Sequence, residues 1–361
     1  MKKPFLLAPM AEISHRALRE LIEHFGGCDE YFTEMINSGS LVAGGPFEEW
    51  YTDNGPVPEK TVYQLVGHDI QNLVKAAALL DKRECAGIDI NMGCCAPIIR
   101  KTGAGIAWMN SIDRAGELIG AIRKTVKRRL SVKLRIGFRD DPDYLLRFCR
   151  RLQDEGLDLI TLHPRTAHEK FKRRARWEYV DSLRRELSIP VAGNGDITTS
   201  DELLSRASGP CDAVMVGRAA VRQPWIFAEA HNRGEVSPLA PALLQSKSYA
   251  TPLFRRDCSP ESEQPSPEQA EFPGAGTSEA QIKGGVTTQE WSPPIEETGL
   301  RFLELLSRHQ PPEFHISRAR RFFSFFCENL KWGTYLRNLL NREESLAGIE
   351  RMWRNYFREQ Q

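Results

Sequence analysis

Eight short apolar segments recur along the first two thirds of the chain, and each is followed by a longer amphipathic or charged segment. Strands that alternate with helices in this way form parallel sheets. Eight such units over about 230 residues match a (β/α)8 barrel in number and length. A doubly wound sheet would need fewer strands or a Rossmann glycine loop after the first strand, and the sequence shows neither. The sequence therefore predicts a TIM barrel of the α/β class, with strands at 5–9, 30–34, 61–65, 87–91, 131–135, 157–162, 189–192 and 212–216.

Two of the segments between these strands carry helix start signals. Ser14 precedes an amphipathic segment at 15–25, and Asp69 precedes one at 70–80. Serine and aspartate side chains accept hydrogen bonds from the first N–H groups of a helix. We therefore expect Ser14 and Asp69 to cap these two helices.

The apolar periodicity stops after residue 232 and returns at about residue 296. The stretch between is rich in Pro, Ser, Glu, Gln and Gly, and such a composition cannot bury enough apolar surface to offset its chain entropy. We predict a catalytic barrel domain over 1–232, a disordered acidic linker over 233–295, and an all-helical bundle of three or four helices over 296–361.

Composition is typical of a soluble globular protein, with 41% apolar and 27% charged residues. No apolar run reaches the roughly 18 residues that a membrane span needs, and the run after Lys2 and Lys3 is too short for a signal peptide. The eight cysteines show no CxxC pair and no metal-ligand spacing. We therefore expect a reduced, metal-free protein in the cytoplasm.

Charge is unevenly distributed along the chain. Residues 237–297 carry four basic and nine acidic side chains, a net charge of −5, so the rest of the chain carries +6. A basic folded part mildly favours a polyanionic partner. Lys170, Lys172, Arg173, Arg174 and Arg176 form a local basic cluster, although an isolated cluster of this kind is more commonly a solvated charge run.

Nearly every predicted strand ends in a polar or small residue that a buried strand does not need. In a TIM barrel all strands end at one mouth, where polar groups bind and catalyse. We therefore expect a functional cavity there. The strand ends are Pro9-Met10-Ala11, Glu34-Met35, Gln64, Asn91 to Cys94, Lys133 with Arg135, His163 with Arg165, Asn194-Gly195-Asp196 and Gly217-Arg218.

Two of these ends carry glycine loops. Gly195 follows strand 7 and Gly217 follows strand 8, the positions at which TIM barrels commonly hold a phosphate. Arg218 adds a permanent positive charge, so a phosphate-bearing cofactor is favoured. Cys94, just beyond strand 4, is a candidate reactive thiol, although a free cysteine is more often a buried structural residue.

Seven motifs resemble, in the right order, those of the tRNA-dihydrouridine synthase family. They are Ala8-Pro9-Met10-Ala11, Asn91-Met92-Gly93-Cys94, Lys133-Leu134-Arg135-Ile136-Gly137, His163-Pro164-Arg165-Thr166, Gly193-Asn194-Gly195-Asp196-Ile197, Gly217-Arg218-Ala219 and Gln223-Pro224-Trp225-Ile226-Phe227. The resemblance covers residues 4 to about 230 and continues more loosely in the helical tail. It implies an FMN-dependent enzyme, reduced by NADPH or NADH, that converts a uridine of tRNA to 5,6-dihydrouridine.

The resemblance also implies roles for individual residues. Cys94 matches the proton donor to C5 of the uracil, opposite a hydride delivered to C6, and a thiol near its usual pKa of about 8.5 is mostly neutral and can give up a proton. The implied cofactor-binding residues are Pro9, Met10, Ala11, Gln64, Lys133, His163, Asn194, Gly195, Asp196, Gly217 and Arg218. The implied substrate-binding residues are Asn91, at the uracil, with Arg135 and Arg165. A uridine turned out of folded tRNA also needs a basic surface around the mouth, and Lys172, Arg173 and Arg174 of the basic cluster are the candidates for it. For Lys133 and His163 the alternatives are a solvent-facing lysine and a structural histidine.

The chain departs from the family pattern beside Cys94. Cys95 stands where the family usually has proline, Ile98 stands where it has lysine, and the long linker replaces a direct connection. Loss of the proline makes the loop less rigid, and two adjacent thiols could oxidise or exchange roles. Cys95 and Ile98 therefore leave open a non-catalytic RNA-binding paralogue. A second alternative is an FMN barrel oxidoreductase for a free pyrimidine, which shares the cofactor but does not explain the basic cluster or the helical tail. We expect a monomer whose partner is tRNA, with no membrane contact.

Overall fold

The computed structural model describes residues 2–169, 172–234 and 293–359 of the chain. Within these residues, eight parallel strands follow one another in sequence order, and β8 closes the barrel by pairing with β1. The predicted TIM barrel and its eight strands are confirmed, although several strand boundaries move by a few residues. The strands are β1 (Phe5–Leu7), β2 (Glu30–Asn37), β3 (Thr61–Val66), β4 (Gly87–Met92), β5 (Arg129–Gly137), β6 (Leu159–Thr166), β7 (Val191–Asn194) and β8 (Ala213–Val216).

Helices connect consecutive strands on the outside of the barrel. They are α1 (Arg16–His24), α2 (Ser38–Ala43), α3 (Glu48–Tyr51), α4 (Ile70–Asp81), α5 (Pro97–Lys101), α6 (Ile112–Arg123), α7 (Pro142–Asp154), α8 (Glu178–Glu186) and α9 (Ser200–Ala207), and after β8 come α10 (Arg218–Arg222) and α11 (Ile226–Gly234). No helix in the described ranges combines the length and apolar character needed to cross a membrane.

The predicted C-terminal bundle of helices is present. It consists of α12 (Ile295–His309), α13 (Pro312–Phe326), α14 (Gly333–Leu340) and α15 (Leu346–Arg358). Residues 235–292, which hold most of the predicted linker, lie outside the described residues. At the two borders of that segment, α11 extends to Gly234 and α12 begins at Ile295.

Of the two predicted helix caps, one is confirmed and the other is wrong. Asp69 caps α4, because its Oδ1 accepts the N–H of Asn72 at 2.8 Å. The prediction for Ser14 is wrong, since His15 occupies the N-cap position of α1 and makes no side-chain cap hydrogen bond. Ser14 Oγ instead bonds the N–H and the C=O of Met10. The hydroxyl thus closes the turn after β1 and holds this loop at the barrel mouth.

Successive side chains of each strand point alternately to the outside and the inside of the barrel, and they form two layers of the core. In β4, Ile88 and Ile90 pack in the apolar layer between the strands and the helices. Asp89 and Asn91 therefore face the barrel interior, because successive strand side chains point to opposite faces. A second apolar cluster fills that interior: Leu6, Ala8, Phe32, Val62, Ala86, Leu159, Ala192, Ala213 and Met215. Inward polar residues are exceptions there and need partners inside the barrel.

One pair of inward charges crosses the barrel interior. Arg129, at the start of β5, donates from both terminal nitrogens to the two carboxylate oxygens of Glu30 in β2, each at 2.6 Å. The two side chains are only 4% and 2% exposed. Burial removes the hydration of both charges, and the bidentate geometry offsets that loss.

A second buried ion pair joins the bundle to the barrel. A terminal nitrogen of Arg318, in α13, lies 2.9 Å from the carboxylate of Glu34 near the mouth end of β2. The Arg318 guanidinium also lies over the Phe314 ring, 4.6 Å from its centroid. Burial raises the pKa of Glu34, and the charge of Arg318 opposes that shift. Together with the packing of α12 on α1, this pair holds the bundle at the mouth of the barrel.

We predict that Arg129→Ala lowers the free energy of unfolding by about 3–5 kcal/mol, because it leaves the Glu30 carboxylate buried without a counter-ion. Urea unfolding followed by circular dichroism measures the change. The matched control is Arg150→Ala, since the Arg150–Glu186 pair is 49% and 46% exposed. That variant should lose less than about 1 kcal/mol. Equal losses in the two variants would contradict a stabilising role for the buried pair.

Candidate active site

A cavity of about 640 Å³ opens at the carboxyl ends of the strands. Four of the predicted site residues do not line this cavity. Gln64 is fully buried beneath it. The other three are Lys172, Arg173 and Arg174. The described residues contain no group of three or more side chains able to hold a metal ion. Most of the predicted site residues line the cavity: Pro9, Met10, Ala11, Asn91, Cys94, Lys133, Arg135, His163, Arg165, Asn194, Gly195, Asp196, Gly217 and Arg218.

A chain of hydrogen bonds runs beneath the cavity. Ser131 Oγ and Gln64 Nε2 donate to the two carboxylate oxygens of Asp89, at 2.6 and 2.7 Å. Asn91 Nδ2 donates to Gln64 Oε1 at 2.9 Å. Asn91 Oδ1 in turn accepts the backbone N–H of Cys94 at 2.9 Å. The chain therefore connects the barrel interior to the loop that carries the candidate thiol.

Asp89 sets the direction of this chain. An ionised carboxylate can only accept hydrogen bonds, so the Gln64 amide turns its NH2 group toward Asp89 and its oxygen toward Asn91. The same constraint turns the Asn91 oxygen toward Cys94. Burial raises the pKa of Asp89 to about 6, against hydrogen bonds from Ser131 and Gln64 that lower it. The carboxylate is therefore mostly ionised at pH 7.

Lys133 occupies the next inward position of β5 after Ser131 and lines the cavity. Its ammonium has no hydrogen-bond or ion-pair partner among the described residues. Burial and the nearby Arg135 lower its pKa to about 8, while the Asp89 carboxylate opposes the shift. Lys133 is therefore mostly protonated at neutral pH and presents a positive charge to a ligand in the cavity.

Cys94 lies on a loop that is held from both sides. Its N–H bonds Asn91, and its carbonyl accepts the N–H of Ile106 at 3.0 Å. Gly105 has a φ of +60°, and a Cβ at this position would lie 2.5 Å from the Cys94 carbonyl oxygen, so a larger residue would displace the loop. Burial raises the pKa of the Cys94 thiol, which is therefore protonated at neutral pH. Cys95 lines the same cavity.

His163, Arg165 and Asp196 form one wall of the cavity. Arg165 Nη1 lies 3.0 Å from His163 Nε2, and Arg165 Nη2 donates to Asp196 at 2.5 Å. Burial and the surrounding cations lower the pKa of His163, so its imidazole is neutral, with Nε2 as the acceptor and the proton on Nδ1. Asp196 also accepts the N–H of Ala175 at 2.6 Å. Its carboxylate thus orients Arg165 and the neighbouring loop.

The loops after β7 and β8 continue this wall of the cavity. Gly195 has a φ of +126°, and a Cβ there would lie about 3.1 Å from the His163 ring. Asn194 Nδ2 donates to the Met215 carbonyl at 2.8 Å and so ties the first loop to β8. Arg218 begins α10 with its side chain exposed. Gly195 and Gly217 both line the cavity and carry no side chain, so each loop presents backbone to it.

The bundle contributes cavity residues that the sequence analysis missed. Phe325, near the end of α13, and Glu328, in the following 3₁₀ turn, line the cavity together with Arg222 of α10. Arg222 lies 3.6 Å from Glu328. Four of the five residues from 322 to 326 are phenylalanines, and all four are typical of a bundle core. Only the packing of α13 on the barrel shows which one faces the cavity.

The basic cluster lies in the loop between β6 and α8. Lys172, Arg173 and Arg174 are exposed, whereas Lys170 lies outside the described residues. The Nε of Arg165 donates to the Arg173 carbonyl at 2.5 Å. The cluster is therefore attached directly to the cavity wall, and its role in RNA binding stays a prediction.

A closed parallel barrel with polar side chains gathered at its mouth has the architecture of the TIM-barrel enzymes. A sequence model of the dihydrouridine synthase family matches residues 6–252, and the chain belongs to this family. Members of the family are flavin-dependent oxidoreductases. The predicted family and enzyme class are thereby confirmed.

Individual relatives match the chain at similar levels. A probable tRNA-dihydrouridine synthase of Aquifex aeolicus is 30% identical over 243 residues, which cover 65% of this chain and 75% of the relative. A probable tRNA-dihydrouridine synthase of Rhizobium leguminosarum bv. phaseoli is 32% identical over 223 residues, which cover 61% of this chain and 69% of the relative. The tRNA-dihydrouridine synthase B of Proteus vulgaris is 30% identical over 256 residues, which cover 67% of this chain and 75% of the relative.

We predict a pH-dependent stability difference between the wild-type protein and Asp89→Asn. The folded-state pKa of Asp89 is about 6 and the unfolded value is about 3.9, so the folded protein binds this proton more tightly. The contribution of this carboxyl group to the free energy of unfolding is therefore fully present below about pH 4 and is lost as the pH rises to about 6.

Urea unfolding of both proteins across this range measures the effect. The unfolding free energy of the wild type minus that of Asp89→Asn should fall between about pH 4 and about pH 6 and then level off. A difference that stays constant with pH would contradict the buried, ionisable state of Asp89.

Proposed function

We propose that the protein reduces a uridine of tRNA to 5,6-dihydrouridine. The observation that carries this proposal is the convergence of a protonated Cys94 thiol, a cationic Lys133 and a neutral His163 on one cavity, in a chain of the dihydrouridine synthase family. Relatives such as those of Aquifex aeolicus and Proteus vulgaris carry tRNA-dihydrouridine synthase in their names. A proton donor beside a cation suits the addition of a hydride and a proton across a polarised double bond.

The cavity residues fit flavin mononucleotide as the cofactor. The ammonium of Lys133, which has no hydrogen-bond or ion-pair partner in the part of the chain that the structure describes, suits the anionic edge of a reduced flavin ring. The 9–11 loop supplies a mostly apolar surface for the ring. At the other end, Gly195 and Gly217 leave the backbone accessible to a phosphate, and Arg218 can fork onto the phosphate oxygens.

When bound, FMN that has been reduced by NADPH or NADH supplies a hydride to C6 of the uracil. Cys94 donates the proton of its thiol to C5 from the opposite face, so that an S–H bond breaks and a C–H bond forms. Burial raises the pKa of Cys94, which keeps the proton on sulfur until it is needed. The charges of Arg135 and Lys133 oppose this shift and stabilise the thiolate, which then regains a proton from solvent.

The hydrogen-bond chain beneath the cavity would position the donor. A proton donor must be held to within a fraction of an ångström of its acceptor, and Asn91 holds the Cys94 backbone from within the barrel. Asn91 also lines the cavity, so its amide can contact the uracil as well. For Asp196, which the resemblance assigns to the cofactor, we propose an indirect role: it orients Arg165 and does not contact the phosphate itself, because like charges repel.

A uridine of folded tRNA reaches such a cavity only after it has been turned out of its stack. The exposed Lys172, Arg173 and Arg174 lie beside the cavity wall and would bind RNA phosphates in a salt-dependent way. The bundle, which supplies Phe325 and Glu328 to the cavity, would form the second RNA contact. We propose that the protein acts on tRNA in the cytoplasm.

We predict that Cys94→Ala lowers dihydrouridine formation by at least about a hundredfold while flavin stays bound, because the variant loses the proton donor and keeps Lys133 and the glycine loops. Mass spectrometry of digested tRNA measures the product, and visible absorbance measures the flavin. The matched control is Cys95→Ala, which removes the neighbouring thiol of the same cavity and should retain most activity.

Three outcomes would contradict parts of this proposal. Activity that survives Cys94→Ala and is lost in Cys95→Ala would make Cys95 the donor. A colourless wild-type protein that binds tRNA without changing it would exclude the enzyme. Faster oxidation of NADPH with free uridine than with dihydrouridine-free tRNA would exclude tRNA as the preferred substrate.

A further inference from the structure

Two large aromatic side chains of the bundle face solvent. Trp332 is 60% exposed and Tyr335 is 62% exposed, and in the described residues the other exposed large hydrophobic side chains are Leu79 and Ile98. Trp332 precedes α14 and Tyr335 lies within its first turn. Trp332 is the N-cap residue of α14 and Tyr335 follows three residues later, so the two exposed rings lie within one turn of chain at the start of this helix. Large apolar side chains that are exposed close together often mark an interaction surface.

This surface adjoins the cavity. The 3₁₀ turn that contains Glu328, a cavity residue, is followed after three residues by α14. Gly333 packs directly on the Cys327 carbonyl, so that a Cβ at position 333 would lie 1.8 Å from that oxygen. This close approach folds the chain back, so that Gly333 lies against Cys327, the residue before the cavity residue Glu328.

The same segment is anchored to the barrel. Asn329 Nδ2 donates to the carbonyl of Arg222, also a cavity residue, at 2.6 Å. Its amide reaches the Phe326 carbonyl as well, at 3.0 Å. The turn that precedes Trp332 and Tyr335 is therefore anchored to the barrel beside the cavity residues Arg222 and Glu328. A rigid platform loses little conformational entropy when a ligand stacks on it.

Charge at this surface favours a nucleic acid. The exposed Lys331 places its Nζ 5.7 Å from the centroid of the Trp332 ring. Arg337 follows in the next turn of α14. Aromatic rings interleaved with cations bind single-stranded nucleotides, because the rings stack on bases while the cations contact the phosphates.

We propose that Trp332, Tyr335 and Lys331 form a stacking platform for the bases of tRNA that flank the uridine in the cavity. Turning one nucleotide out of its stack exposes the faces of its neighbours, and flat aromatic rings at the cavity rim replace the lost stacking. The platform rests on the proposed function, since it requires an RNA whose uridine enters the cavity. The platform would bind any nucleotide sequence, because every base has a flat face that can stack on an aromatic ring.

The test measures the dissociation constant of full-length protein for unmodified tRNA by fluorescence anisotropy. Trp332→Ala and Tyr335→Ala should each weaken binding about fivefold to 150-fold, which is the range for loss of one base–aromatic stack. Trp332→Phe and Tyr335→Phe should recover most of the affinity, because a ring remains. Leu79→Ala removes a comparably exposed apolar side chain near the end of α4, away from the mouth, and should bind as the wild type does.

Salt dependence separates stacking from charge. Lys331→Met should reduce the slope of log affinity against log salt by about 0.7 to 0.9, because one phosphate contact is lost. Trp332→Ala and Tyr335→Ala should shift the line downward with its slope unchanged. A changed slope in the aromatic variants would overturn stacking as the source of their effect.

The failure of the platform and the failure of the proposed function give different results. Wild-type protein that forms dihydrouridine, while a Trp332→Ala/Tyr335→Ala double variant binds tRNA with unchanged affinity, overturns the platform alone. Wild-type protein that neither binds nor modifies tRNA overturns both. If the double variant keeps its tRNA affinity but converts a dimer to a monomer in sedimentation experiments, the surface is a protein contact, and the platform is again overturned.

Discussion

Asp89 faces the barrel interior, where its carboxylate accepts hydrogen bonds from Ser131 and Gln64. Since a carboxylate cannot donate, this one group orients the amides of Gln64 and Asn91 and, through them, the backbone of Cys94. The position of the thiol at the cavity is therefore set from inside the barrel, on rigid strands. A site built in this way holds its donor more firmly than a loop could by itself.

The mouth of the barrel depends on a second polar contact, between Glu34 and Arg318. Glu12 strengthens it, because its N–H donates to Glu34 at 2.5 Å and its carboxylate pairs with Arg321 at 2.8 Å. Glu12 itself has a positive φ of 64°, a conformation that a non-glycine residue keeps only when its surroundings require it. The bundle is thus fixed relative to β2, and Phe325 reaches the cavity as a result.

The departures from the family pattern lie at this same mouth. Cys95, in place of a proline, puts a second thiol into the cavity. Ile98, in place of a lysine, is exposed in α5 directly after the cavity residue Pro97. Both changes alter the rim and leave the buried chain from Asp89 to Asn91 intact. The two substitutions therefore change the surface that a substrate meets at the rim and leave the hydrogen bonds inside the barrel unchanged.

The sequence by itself determined the eight strands and the residues gathered at the mouth, because strand alternation is local and because all strands of a closed parallel barrel end on one side. Only the tertiary structure decided that Gln64 lies beneath the cavity, that Phe325 rather than its neighbours faces it, and that Ser14 closes a turn instead of capping α1. These outcomes depend on packing between elements far apart in the chain. Local propensity and periodicity carry no information about such contacts.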